Sequence, residues 1–541
     1  MWPLTNNQPI QRIPFPLPVC PPSGTDVKQM KQFTQSLYKD FWNFSVDEAS
    51  RLLEQKEPSY WQNQGERLAL ILFHQAAERV PAYKDFLNKN HIKHIKIKTI
   101  QDFQNVPTVD KKNYLEKYPL EALYFEGTLF EAQMVSVSSG SSGEPFLWPR
   151  GGLLEMETTY IQEMYLKKFF EIDTLSTLYI DSFAMGMYIA GPIILNSALR
   201  ISQKGYPMMV ITPGLSMNDI MRVLPKIGNK FDQIIIGGYP PFVKDIIEEG
   251  RQRGLFWKQL KPRLILAGEG FSEEWRDRVS ELAGIDDSYN KIINIYGTAD
   301  ASIVGHETPE SIILRRFINS QPDIQKKVFN SHYQNRLPTL VQYFPTQKYF
   351  EVVDQELHFT ATSGIPLIRY NIHDNGGILP YDQITQLCDK EGFDIDQTMK
   401  NKPTPCPSWK LPFVYLYGRS DFTAVVYGAN IYPENIKNAL ECKEVINSVT
   451  GRFTMSTEYN KRQDTYLLIH VELADGIANT KSLEDKIENV ITDTLLRLND
   501  EYRSSYQAKE KLMRPTIQLH DKKDQQFFNR DQRKQKWTNK K

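Results

Sequence analysis

Between about residues 175 and 300 the chain alternates short runs of branched apolar residues with amphipathic stretches, and this order restricts the fold more than any other feature. The runs LSTLYI, MMVIT, QIIIG, RLILA and IINI are separated by NDIMRVLPKI, PFVKDIIEEG and SEEWRDRVSELA. A βαβα order predicts an α/β lobe with a mainly parallel sheet covered by helices. Ligands of such sheets bind beyond the carboxyl ends of the strands. The turns GGYPP, AGEGFSE and YGTAD follow those ends. Upstream, apolar residues at three- and four-residue spacing between about Asp26 and Asn90 predict helices. Downstream, the Pro-rich break KNKPTPCPSWKLP leads into helix NIKNALE, strand TYLLIHVEL and one long helix from Thr480 to about Tyr502. A chain of 541 residues exceeds one domain. The expected division is an arm with helices over 1–65, a large α/β lobe over 66–417 and a small α+β lobe over 418–541, joined by a hinge.

Lys plus Arg and Asp plus Glu number 65 each, so no global field gathers nucleic acid or anionic membrane. A small-molecule partner is expected, and the oligomeric state stays open. Cys20, Cys388, Cys406 and Cys442 form no CxxC, which argues against structural zinc and a disulfide framework. A reducing, cytoplasmic setting follows as the expectation. The N-terminus lacks the basic start and apolar core of a signal peptide. The apolar stretch 178–199 contains Asp181, two glycines and Pro192, and reads as a buried strand, loop and helix instead of a membrane span.

Four segments carry chemistry. In VSVSSGSSGEPF, Ser138, Ser139, Gly140, Ser141, Ser142 and Gly143 combine glycines, whose N–H groups can converge on an anion, with hydroxyl donors that add little bulk. This suits phosphates; a flexible linker has the same composition. In INIYGTADAS, Tyr296 can stack on a base, Gly297 and Thr298 form a turn, and Asp300 can hold Mg²⁺. In SGIPLIRYNIHDNGG, Asp374 can accept from ribose hydroxyls or serve an Asx-turn. In YLYGRSDFTAVVYGANIYPENI, Arg419 and Asp421 lie at the expected lobe boundary, as a phosphate contact and hinge or as a surface ion pair.

In this order and at these separations the four segments resemble the superfamily of acyl-CoA synthetases, luciferases and peptide-synthetase adenylation domains. AAERVPAYKDFL, VPTVDKKNYLEKYPL and AGEGFSEEWRDRV are similar to its phenylacetate-CoA ligase-like branch. The resemblance runs from about Glu66 to the C-terminus. It implies an ATP-dependent, AMP-forming acid:CoA ligase that uses ATP, Mg²⁺ and coenzyme A. Residues 138–145 then bind phosphates, Tyr296 packs on adenine, Asp300 helps hold Mg²⁺, Asp374 and Arg419 fix ribose and phosphate, and Glu269 joins the nucleotide site. Asp421 becomes the hinge between two orientations of the small lobe. Lys534 is the first choice for the family's C-terminal catalytic lysine and Lys536 the second. The acyl pocket falls to Phe183, Met185, Gly186 and Tyr188 with Gly238 and Tyr239. An apolar, aromatic lining suits an aryl or alkyl acid, although the same residues would make an ordinary core. The acceptor thiol can belong to coenzyme A or to an acyl carrier protein. Glu144 stands where many relatives have Lys, Ala299 where Thr or Ser is usual, and His373 where Gly is usual. These departures keep open a nucleotide-binding protein without activity.

Overall fold

The computed structural model describes residues 45–130, 132–138, 146–187, 189–329, 337–402, 408–419 and 424–521, with the side chains of Arg419 and Glu434 outside that set. A hairpin, β1 (Ala132–Ser138) and β2 (Phe146–Gly151), precedes an eleven-stranded sheet. The branched runs form β3 (Thr177–Asp181), β4 (Met208–Ile211), β5 (Gln233–Gly238), β6 (Pro262–Ala267) and β7 (Ile292–Thr298). All of these pair in parallel, in the order β4-β3-β5-β6-β7. The sheet continues antiparallel through β8 (Ser302–His306), β9 (Thr339–Gln342), β10 (Lys348–Val353), β11 (Glu356–Ala361), β12 (Leu367–Leu379) and β13 (Phe413–Arg419), ordered β8-β9-β13-β12-β11-β10.

The parallel half is built as its sequence dictates. Its strands are buried on both faces, so branched residues run without alternation. Helices Met217–Ile227, Pro240–Gln252 and Glu273–Ala283 come from the amphipathic stretches, and helix Ala190–Gln203 follows β3. Ser216 and Ser272 cap two of them by accepting from Asp219 N and Trp275 N. Stretch 178–199 is β3, a loop and the start of a helix. No described helix is long and apolar enough to cross a membrane.

The C-terminal section holds the small hairpin β14 (Ala424–Val426) and β15 (Ala429–Ile431), helix Pro433–Leu440, and a sheet of β16 (Val449–Tyr459), β17 (Thr465–Leu473) and β18 (Thr516–His520). The single long helix expected from Thr480 is two, Lys481–Leu498 and Asp500–Met513. Asn499 causes the break. Its side chain accepts from Tyr502 N at 2.9 Å and donates to Asn430 O at 2.7 Å, capping the second helix and tying it to β15.

One apolar core fills the parallel half and continues into the C-terminal section; a second joins the helices Pro58–Arg79 and Pro81–Lys89 to the antiparallel half. Where the C-terminal section meets the parallel half, Lys244 Nζ lies 2.5 Å from Asp464 and Lys509 Nζ lies 3.0 Å from Asp245. The Tyr459 hydroxyl donates to Gly270 O at 3.1 Å.

Candidate active site

A cavity of about 840 Å³ opens at the carboxyl ends of β5, β6 and β7, where a parallel sheet is expected to bind ligands. Ser138, Phe183, Tyr239, Glu269, Tyr296, Gly297, Thr298, Asp300 and Asp374 all border it. The C-terminal section closes the other side through Gly428, Ser456, Glu458 and Glu501. Segments more than two hundred residues apart in sequence therefore share one space.

A short hydrogen bond joins two of them. The Tyr296 hydroxyl donates to Asp374 Oδ2 at 2.5 Å, and both residues are buried. The pair bridges the end of β7 to β12, so the aromatic face and the carboxylate keep a fixed relation. Asp374 stands in register with Arg419 across the β12–β13 ladder. Just before it, His373 has φ +62°, a left-handed backbone that suits glycine and costs a larger residue about 1–2 kcal/mol. Its ring lies 3.3 Å from Glu356 Oε2 and its backbone N–H donates to Asn371 Oδ1 at 2.7 Å.

Beyond β7 the chain turns through Thr298, whose Oγ1 accepts from Ala301 N at 3.0 Å. That turn presents Asp300. The Ser363 hydroxyl donates to the Asp300 carbonyl, while the Asp300 carboxylate bonds no described residue. A carboxylate held by its backbone and open at its oxygens fits a hard divalent cation such as Mg²⁺.

Ser138, at the last position of β1, accepts from Trp148 Nε1 at 3.1 Å and from Lys111 Nζ at 3.3 Å. Neither partner was expected at the site. The segment TVDKKN forms a turn closed by reciprocal bonds between Asp110 and Asn113. Placement of Lys111 depends instead on Val109, which bridges to Tyr370 on β12, and local pattern does not encode that pairing.

Glu269 lies in the loop after β6, and its Oε1 accepts from Gly428 N at 2.5 Å. Loss of water contact pushes its carboxyl up to about 8 against that single backbone donor. A Cβ on Gly428 would stand 2.4 Å from the Tyr239 ring, so this close approach requires glycine. Phe183 and Tyr239 pack edge to face at 5.2 Å and form the apolar end of the cavity with Ile193 and Ile194.

Three expected pocket residues do not border the cavity. Met185 packs towards Gly191 and Gly214, Gly186 occupies a positive-φ turn, and Gly238 abuts Ser182 and Val243. Ser139, Gly140, Ser141, Ser142, Gly143, Tyr188, Asp421, Lys534 and Lys536 lie outside the described residues.

Among solved structures, a 2-hydroxyisobutyryl-CoA ligase in complex with 2-HIB-AMP and CoA in the thioesterification state matches with a TM-score of 0.59 at 16% identity, over 87% of this chain and 88% of that one. An amide bond synthetase from Marinactinospora thermotolerans gives 0.43 at 11% identity over 75% and 68%. A malonyl-CoA ligase with methylmalonyl-CoA and AMP bound gives 0.40 at 12% over 72% and 70%. No protein-family model and no curated protein sequence matches the chain. The first of these likenesses establishes the fold: this chain is built on the two-lobe α/β architecture of a CoA ligase.

Proposed function

We propose that this chain is an AMP-forming carboxylate ligase of the phenylacetate-CoA ligase-like branch, activating an aryl or alkyl acid with ATP and passing the acyl group to the thiol of coenzyme A. The convergence of Ser138, Tyr296, Asp300 and Asp374 on one cavity carries the proposal. In it, adenine lies against Tyr296, ribose hydroxyls donate to Asp374, and the phosphates run from Ser138 along 139–143. Glu269 and the Gly297–Thr298 turn complete the nucleotide wall. The acid enters beside Phe183 and Tyr239.

Chemically, a carboxylate oxygen bonds to the α-phosphorus as the bond to the bridging oxygen of pyrophosphate breaks. Mg²⁺ on Asp300 would supply charge neutralisation on the phosphates. The chain's own work is positioning: the Tyr296–Asp374 pair fixes the nucleoside, and the closed apolar end holds the acid away from water. In the second step a thiolate attacks the acyl carbon and AMP leaves. Residues 418–541 form the mobile small lobe in this scheme, turning about Asp421, with Arg419 on phosphate and Lys534 on the adenylation chemistry.

Exchange of labelled pyrophosphate into ATP, with Mg²⁺ and a panel of aryl and alkyl acids, tests it. Exchange that depends on one class of acid is the expected result. ATP binding without exchange for any acid would replace the ligase with a nucleotide-binding protein that lacks activity.

A further inference from the structure

Net charge over the whole chain is zero, yet its lysines are not evenly spread. From Phe86 to Gln101 the sequence FLNKNHIKHIKIKTIQ carries Lys89, Lys93, Lys96 and Lys98 with His91 and His94, and no acidic residue. Asp85 takes up one of these charges, 2.6 Å from Lys89 Nζ. Asp102 lies beyond the other end and accepts from Lys98 N and Thr99 N. Lys93, Lys96 and Lys98 are exposed and form no ion pair among the described residues.

The backbone of this segment is fixed, and it sorts the side chains. Ile92 N donates to Leu87 O at 2.9 Å, Lys96 N to Lys93 O at 2.9 Å and Ile97 N to His94 O at 3.0 Å. These bonds close a turn after helix Pro81–Lys89 and a single 3₁₀ turn over His94–Lys96. Ile92 and Ile97 pack against the second apolar core, and the His94 ring meets the His74 ring at 6.1 Å. Ile95 is left outside, 57% exposed, with Lys93 and Lys96 in the same turn. Such an arrangement contributes little to the fold, because the like charges repel and the apolar side chain stays wet.

We propose that residues 89–98 form a docking surface for an anionic bilayer, with the lysines on the lipid headgroups and Ile95 inserted between them. An anionic bilayer offers both halves of the match: a negative surface for the lysines, and an apolar layer just beneath it for the isoleucine. A nucleic acid offers only the first, and between Leu87 and Gln101 there is no Arg, Phe, Tyr or Trp to read its bases or stack on them. Each lysine near such a surface raises the partition coefficient about fivefold, so the three unpaired ones give about 100-fold, which is reversible attachment. This assignment is independent of the nucleotide reading of the cavity.

Co-sedimentation of the full-length chain with vesicles of phosphatidylcholine, alone or mixed with phosphatidylserine, tests the surface. The wild type should sediment with the mixed vesicles, stay in solution with phosphatidylcholine alone, and be released by added salt. Lys93→Ala, Lys96→Ala and Lys98→Ala together should weaken binding about 100-fold, and Ile95→Ser about fivefold, with the urea midpoint of each variant unchanged. A wild type that binds neither vesicle, or both alike, would overturn the proposal. So would a triple variant that binds the mixed vesicles as the wild type does. Undiminished binding by Ile95→Ser, or tighter retention on duplex DNA than on the mixed vesicles, would also overturn it, because the lysines would then be a contact for polyanions in general.

Discussion

Carboxyls at the carboxyl ends of β3 and β6 follow opposite rules. On one side, Glu273 is surrounded by guanidinium groups: Arg276 at 3.0 Å, Arg316 at 2.8 Å, and Arg315 in contact. Arg276 in turn holds Glu307 at 2.8 Å. Burial alone would push the Glu273 carboxyl up, yet the three arginines overcome it and hold it at about 2. On the cavity side, Glu269 has one backbone N–H. Asp181, at the end of β3, accepts from Phe183 N at 3.2 Å with Oδ1, and its Oδ2 has no hydrogen-bond partner. Burial pushes both carboxyls to about 8. The difference separates an ionised carboxylate that organises the fold from carboxyls that burial keeps protonated at neutral pH.

Neutralising the arginine-bound carboxylate should have the largest effect. Glu273→Gln leaves buried guanidinium groups short of an anion, and breaking a buried pair from one side costs about 3–5 kcal/mol. Urea unfolding at neutral pH should register that loss. The wild-type contribution is complete above the ordinary carboxylate range and falls away as pH drops towards about 2. A loss below about 1 kcal/mol would place Glu273 in the class of surface pairs and erase the contrast.

Asp181 should respond to pH in the other direction. Its folded-state carboxyl stays protonated up to about 8, while the unfolded chain releases the proton near 3.8. Within that window the unfolded state binds fewer protons, so stability declines as pH rises, by about 1.4 kcal/mol per pH unit. From about pH 6 to about pH 7.5 the wild type should lose about 2 kcal/mol relative to Asp181→Asn, which cannot ionise. Parallel stability curves for the two proteins would show that Asp181 is not a buried, unpaired acid.

The two regions also differ in how far they could be read from the chain. The parallel half was legible because strands such as IIIG in β5 are buried on both faces and separated by capped amphipathic helices, and each of those signals is local. The turns that follow them put Glu269, Tyr296 and Asp300 at the strand ends, where the cavity is. The antiparallel half was not legible. KYFEVV and ELHFTA form β10 and β11, and strand neighbours in this half are fixed by contacts distant in sequence, as in the β9–β13 pairing of Val341 with Val414. Lys111 escaped notice for the same reason, since Val109 finds Tyr370 only in the folded chain. The left-handed φ at His373 has no signal in the residue itself, and the Asn499 break was hidden by apolar periodicity continuing on both sides of it.

The smallest expected effect tests the contact that links the two halves of the site. Tyr296→Phe keeps the aromatic face and removes the hydroxyl that holds Asp374 from across the sheet. One hydrogen bond of this kind contributes about 1 kcal/mol, so AMP should bind about fivefold more weakly. The informative readout is discrimination. If Asp374 accepts from the ribose and Tyr296 only orients it, the variant should lose part of the wild-type preference for AMP over 2′-deoxy-AMP, because a carboxylate free to rotate selects the hydroxyl less well. If affinity falls while the preference stays whole, the hydroxyl contributes through packing, and Asp374 would be held by its register with Arg419 on β13. A variant indistinguishable from wild type in both measurements would make the Tyr296–Asp374 bond a feature of the free fold that opens when the nucleoside enters.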